Sequence, residues 1–99
     1  MEKRSPHYPL SAIQEQMISV EAMNLTQSSV CNIWSAGMAK DDALEVVRGL
    51  SRTDFYKSMT TNKDHRIWQD VYHAEWRGKA LYVKFQQADE YLVVSFKEL

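Results

Sequence analysis

Two segments of this chain alternate with a two-residue period and carry groups suited to handling a phosphate. Over 80–86, Leu81, Val83 and Phe85 alternate with Tyr82 and Lys84. Over 91–97, Leu92, Val94 and Phe96 alternate with Tyr91, Val93, Ser95 and Lys97. Successive side chains of a strand point to opposite faces, so if the apolar sets turn to a core, Tyr82 and Lys97 share the outer face. An ammonium supplies fixed positive charge and a phenol supplies a proton or accepts one, which are the parts needed to hold a phosphodiester and move its protons. The stretch 57–84 adds cations: six basic residues (Lys57, Lys63, Arg66, Arg77, Lys79, Lys84) against three acidic ones, whereas residues 1–50 hold four basic and six acidic. That excess suits a phosphate ligand, and a solvated face of an amphipathic sheet accounts for it equally well.

The other reactive types are scattered. His7, His65 and His73 lie in separate segments with no i, i+4 pair, so a helical metal site is not expected. His65 sits beside a turn and His73 at a strand end, where exposed histidines are common, and either one could act as a general acid or base. Asp41 with Asp42 reads as a helix start and Asp89 with Glu90 as a charged turn. Cys31 is the single cysteine, which excludes an internal disulfide and a thiolate zinc cluster, and it has no neighbouring cation or histidine to activate it. Three glycines cannot build a glycine-rich phosphate loop. Trp34, Trp68 and Trp76 read as core or rim residues, with stacking on a base as the alternative for an exposed one.

The elements that must position these groups fall into two halves. The spacing of Ser11 and Gln14 followed by Ile13, Met17 and Val20 predicts a helix over 11–22. A second helix is predicted from just after Thr26 to about Ser35, stopped by Ala36 and Gly37. A third opens at Asp42 and Glu45, with Ala43, Val46, Val47 and Leu50 on one face. From there the period changes to two, predicting strands over 66–72, 80–86 and 91–97 and a fourth over 55–61. Turns are expected at Asn62 to Asp64, Arg77 to Lys79 and Ala88 to Glu90. Helices followed by a meander of antiparallel strands predict an α+β fold, with the N-terminal helices packed on one face of a C-terminal antiparallel sheet and the other face left open.

Ninety-nine residues, 44% hydrophobic and 25% charged, suit one domain over 1–99 with one core. The apolar runs are far shorter than the roughly 20 residues of a membrane helix, and no apolar stretch follows the N-terminal charges as in a secretory signal, so no membrane association and a cytoplasmic location are expected. A net charge of −1 argues against holding duplex DNA by bulk electrostatics, and no direct DNA binding is expected.

The run DFYKSMTTNKDHRIWQDVY over 54–72, with YLVVSFKEL at the C-terminus and MEKRSPH at the start, resembles the MqsR family of type II toxins, the motility quorum-sensing regulators. The resemblance covers essentially the whole chain and departs most over 28–42 and in what reads as a loop over 73–78. It implies a RelE-like ribonuclease fold and a sequence-selective endoribonuclease that cuts messenger RNA at GC-containing triplets such as GCU without a metal or other cofactor, halting translation. It also implies that Lys57 in FYKSM, Gln69 in IWQDVY, Tyr82 in LYVKF and Lys97 in SFKEL are the active-site residues. Two of them, Tyr82 and Lys97, are the pair that strand parity puts on one face. The partners it implies are mRNA as substrate and an MqsA-like antitoxin that binds zinc and DNA through its own domains. The competing expectation is a non-catalytic module with the same fold that binds antitoxin or RNA without cutting.

Overall fold

The computed structural model describes all of residues 1–99. In chain order the elements are β1 (Glu2–Lys3), α1 (Leu10–Gln16), a 3₁₀ turn (Glu21–Met23), α2 (Gln27–Ser35), α3 (Lys40–Arg48), a second 3₁₀ turn (Arg52–Asp54), β2 (Phe55–Thr60), β3 (Trp68–Trp76), β4 (Lys79–Ala88) and β5 (Tyr91–Glu98). The five strands form one antiparallel sheet in sequence order, so the α+β arrangement of N-terminal helices followed by a C-terminal meander is as the periodicity predicted. No helix is long and apolar enough to cross a membrane.

The core lies between the helices and one sheet face. Leu81, Val83, Phe85, Leu92, Val94 and Phe96 are all buried there against Ile13, Met23, Ile33 and Val47, which is the apolar parity of β4 and β5 turned inward. Helix α2 is set by local chemistry at both ends. The Thr26 hydroxyl accepts from the Ser29 N–H at 3.2 Å, a cap worth about 1 kcal/mol. At the other end Gly37, at φ 81°, lets Gly37 and Met38 donate back to the carbonyls of Trp34 and Ile33, closing a Schellman turn.

Several boundaries move from where the pattern put them. Helix α1 stops at Gln16 instead of running to residue 22, and the chain turns so that Met23 reaches the core. The Ser11 and Gln14 spacing is not a cap: α1 starts after Pro9, and the Gln14 amide donates to the carbonyls of Leu50 (2.8 Å) and Arg48 (3.2 Å), finishing the C-terminus of α3. Helix α3 starts two residues before Asp42, whose carboxylate accepts from the Ala39 N–H at 2.8 Å. Strand β3 starts at Trp68 and continues to Trp76, because Asp64 binds the Arg66 N–H and guanidinium and holds that residue in the turn. The expected loop over 73–78 is therefore mostly strand, followed by a two-residue turn at Arg77 and Gly78, both at positive φ, a conformation that suits a tight hairpin.

Both sheet edges are partly covered. At one edge the two residues of β1 cover β2. At the other, Ser29 accepts from the Phe96 N–H (3.0 Å), Asn32 donates to the Phe96 carbonyl (2.8 Å) and Asn24 donates to the Leu92 carbonyl (3.0 Å). Side chains of the helical half thus satisfy backbone groups of β5 that would otherwise be open to pairing with another chain.

Candidate active site

The face of the sheet away from the helices carries the charged and polar groups in cross-strand rows. One row runs His73, Tyr82, Lys97; the next runs Lys57, Val71, Lys84, Ser95; a third runs Met59, Gln69, Gln86, Val93. Neighbouring strands are roughly 5 Å apart, so long side chains from adjacent positions meet above the sheet. Val71 is wholly buried in the middle of this polar face, which gives the lysine stems an apolar floor to lie on.

Of the four residues implied by the family resemblance, Tyr82 and Lys97 come together most closely. They are direct cross-strand partners, and the Lys97 ammonium lies 4.6 Å from the centre of the Tyr82 ring. Lys57 reaches the same region from β2, with its ammonium 5.5 Å from the centre of the Tyr56 ring. It bonds the Glu2 carboxylate at 2.7 Å. Gln69 shares the face but sits in the row on the far side of Lys57 from Tyr82, and its amide nitrogen donates to Gln86 at 2.6 Å. The four form a patch across β2 to β5, with Gln69 at its margin.

The electrostatics favour proton retention at two of these groups. Burial pushes the Tyr82 phenol above its ordinary value, with the charge of Lys57 opposing and that of Tyr56 adding. The hydrogen bond to Glu2 raises Lys57. At neutral pH Tyr82 is therefore a proton donor and Lys57 a cation. Lys84 moves the other way, lowered first by burial and then by the neighbouring Lys97 charge.

Sequence reasoning undervalued three residues. His73 is not at a strand end: it lies inside β3, on the open face, stacked on Tyr56 with ring centres 4.3 Å apart and paired across the strands with Tyr82. The extension of β3 to Trp76 is what places it there. Tyr56 is the exposed aromatic of this region at 44%, whereas Trp34 stands out from α2 and Trp68 is covered by His7 and Lys3. Glu2 could not be found from periodicity, because a two-residue strand has none. Cys31 is exposed on α2, and no three His, Cys, Asp or Glu side chains converge as a metal cage.

A face of this kind, with three lysines and a protonated phenol over an apolar floor, can hold a phosphate and donate a proton to it. Comparison with known proteins agrees with the resemblance carried by the sequence motifs. The chain is 42% identical over 98 residues, 99% of each protein, to the mRNA interferase toxin MqsR of Escherichia coli (strain K12). The sequence model of the family described as motility quorum-sensing regulator, toxin of MqsA, matches residues 5–98. With the match running through every element from α1 to β5, this chain belongs to the motility quorum-sensing regulator toxin family.

Proposed function

We propose that this protein is the toxin of a type II toxin–antitoxin pair, an RelE-like endoribonuclease of one domain over 1–99 that acts in the cytoplasm. It cuts messenger RNA at GC-containing sites such as GCU, without a metal, and so halts translation. The observation that carries the reading is the row of Tyr82 and Lys97 with Lys57 across the open face, in a chain whose full-length relative is named an mRNA interferase. An MqsA-like antitoxin, binding zinc and DNA through its own domains, restrains it.

Cleavage of this type joins the ribose 2′-oxygen to the adjacent phosphorus and breaks the bond to the 5′-oxygen. One proton passes from the 2′-OH to the imidazole of His73, which lies beside Tyr82 on the open face, another reaches the departing 5′-oxygen, and negative charge grows on the phosphoryl oxygens between. Lys57 and Lys97 offset that charge. Tyr82, which holds its proton, donates to the phosphate or the leaving oxygen. Gln69 orients the neighbouring nucleotide from the margin of the patch. The Glu2 carboxylate bonded to Lys57 marks the position from which a phosphate would displace it.

The test is cleavage of a long defined RNA by purified protein in EDTA, with the cut ends mapped, for wild type, Tyr82→Phe and Lys57→Ala. Cuts at a short recurring GC-containing motif are expected to persist in EDTA and to fall by about 100-fold or more in Tyr82→Phe. Folded wild type that binds RNA or antitoxin and leaves RNA intact would replace the enzyme with a binding module.

A further inference from the structure

Beside the Tyr82 and Lys97 pair, the open face of β4 and β5 meets the first turns of α2 in a cleft of about 310 Å³, near the lower end of the roughly 300–1,000 Å³ of small-ligand sites. Tyr82 and Lys97 both line it, so it is continuous with the patch described above, and Lys84, Ser95, Ser28 and Asn32 are among its other polar groups. We propose that this cleft is a second subsite that seats the nucleotide next to the scissile bond, with that nucleotide's own phosphate held between Lys84 and Lys97 and its base facing Asn32. The inference deepens the ribonuclease reading and rests on it for the identity of the ligand.

Lys84 lines this cleft from β4. It is only partly exposed, and the ion pairs of the molecule involve Lys57, Arg66 and Lys79, so both Lys84 and Lys97 face the cleft without a carboxylate partner. Two ammonium groups set close together and partly out of water destabilise each other, and burial together with Lys97 lowers the Lys84 pKa. Such an arrangement costs stability and is relieved by an anion placed between the two. A phosphodiester supplies that anion as part of the chain already lying on Tyr82, one nucleotide along. The pattern of engaged and free groups on the α2 wall points the same way. Ser29 and the amide nitrogen of Asn32 are used to hold the Phe96 backbone. This fixes the wall rigidly and leaves the Asn32 amide oxygen as an acceptor for an exocyclic amine of a base, a contact that discriminates among bases.

The experiment uses short oligoribonucleotides containing one cleavage site, in which each flanking phosphate in turn is replaced by a neutral methylphosphonate, with wild type, Lys84→Met and Lys84→Arg. At one flanking position, neutralisation is expected to lower wild-type kcat/KM by about tenfold. Lys84→Met is expected to lose a similar factor on the native oligonucleotide and to lose little more when that same phosphate is neutral. Lys84→Arg should recover much of the loss, and the thermal midpoint of Lys84→Met should be unchanged or raised, because a partly buried unpaired charge has been removed. Affinity for the same oligonucleotides blocked with a 2′-O-methyl group at the cleavage site is measured in parallel. If wild type cuts and no flanking phosphate couples to Lys84, the subsite is wrong and the ribonuclease reading stands. If wild type cuts nothing but binding shows the coupling, the subsite stands for RNA binding and the ribonuclease reading falls. Neither cleavage nor RNA binding by folded wild type overturns both.

Discussion

Two tyrosines, Tyr82 half-buried on the open face and Tyr72 fully buried in the core, show how the same side chain serves opposite ends. Tyr82 holds its proton because burial raises its pKa, and it stands beside Lys57 and Lys97 where a phosphate can receive that proton. Tyr72, on the helix side of the next strand, is wholly buried between Phe55 and Phe85, and its hydroxyl has no hydrogen-bond partner. Burial, with the Asp70 carboxylate adding, pushes the Tyr72 phenol from 10.0 up to about 12. Leaving a buried hydroxyl unpaired is costly, so Tyr72→Phe is expected to raise stability by about 1 kcal/mol at neutral pH, read by urea unfolding. A phenol that keeps its proton more tightly when folded contributes stability that is fully present below its unfolded pKa and is lost as pH rises toward the folded value. The advantage of Tyr72→Phe should therefore widen between about pH 10 and 12, the window set by that shift. A variant less stable than wild type at pH 7 would mean that the hydroxyl has a partner in solution. At this scale strand alternation correctly placed Tyr82 and Lys97 on one face, but it could not tell that Tyr72 would be an orphan in the core, because that depends on what lies opposite in three dimensions.

Among the elements, the short N-terminal segment is held by a single buried carboxylate. Asp70 of β3 has no exposure and accepts from the His7 N–H (3.0 Å), the Tyr8 N–H (2.8 Å) and the Ser58 hydroxyl (2.6 Å). The Tyr8 hydroxyl then donates to the Trp68 carbonyl at 2.7 Å and accepts from the Gln87 N–H at 3.2 Å. These bonds fix the segment joining β1 to α1, and β1 carries the Glu2 that bonds Lys57. Removing one partner of a buried charged network leaves the rest unsatisfied, so Asp70→Ala is expected to cost on the order of 3 kcal/mol, seen as a lower midpoint in denaturant. A cost below about 1 kcal/mol would show that the segment is held by other contacts. Helix α2 was legible because its signals are local: Thr26 at one end and Ala36 with Gly37 at the other. Periodicity overextends α1 because Ile13, Met17 and Val20 do keep helical spacing, yet a helix of that length is marginal alone. The contacts of Met23 with the core and of Asn24 with the Leu92 carbonyl decide where it stops. Periodicity ends β3 too early because contrast between apolar and polar residues fades after Tyr72; its last residues are held by pairing with β4.

For the molecule as a whole, the charge matters by where it lies. The net charge is −1, yet Lys57, Lys84 and Lys97 share one face of the sheet, and only Lys57 has an acidic partner. Three lysine contacts to a single strand predict that log affinity for RNA falls with log salt at a slope of about −2. Titration of a non-cleavable oligoribonucleotide at several salt concentrations reads that slope. A slope near zero would remove the open face as the RNA-binding surface. The sequence by itself determined the fold class, the identity of α2, the inward parity of β4 and β5 and hence the meeting of Tyr82 with Lys97, because each follows from periodicity or end chemistry within a few residues. Only the tertiary structure decided that His73 lies inside the patch, that Glu2 reaches Lys57, that Gln69 stands at the margin and that α2 closes a cleft over Lys84. Those placements depend on strand register and on helix-to-edge hydrogen bonds between residues distant in sequence, whose energies no local pattern encodes.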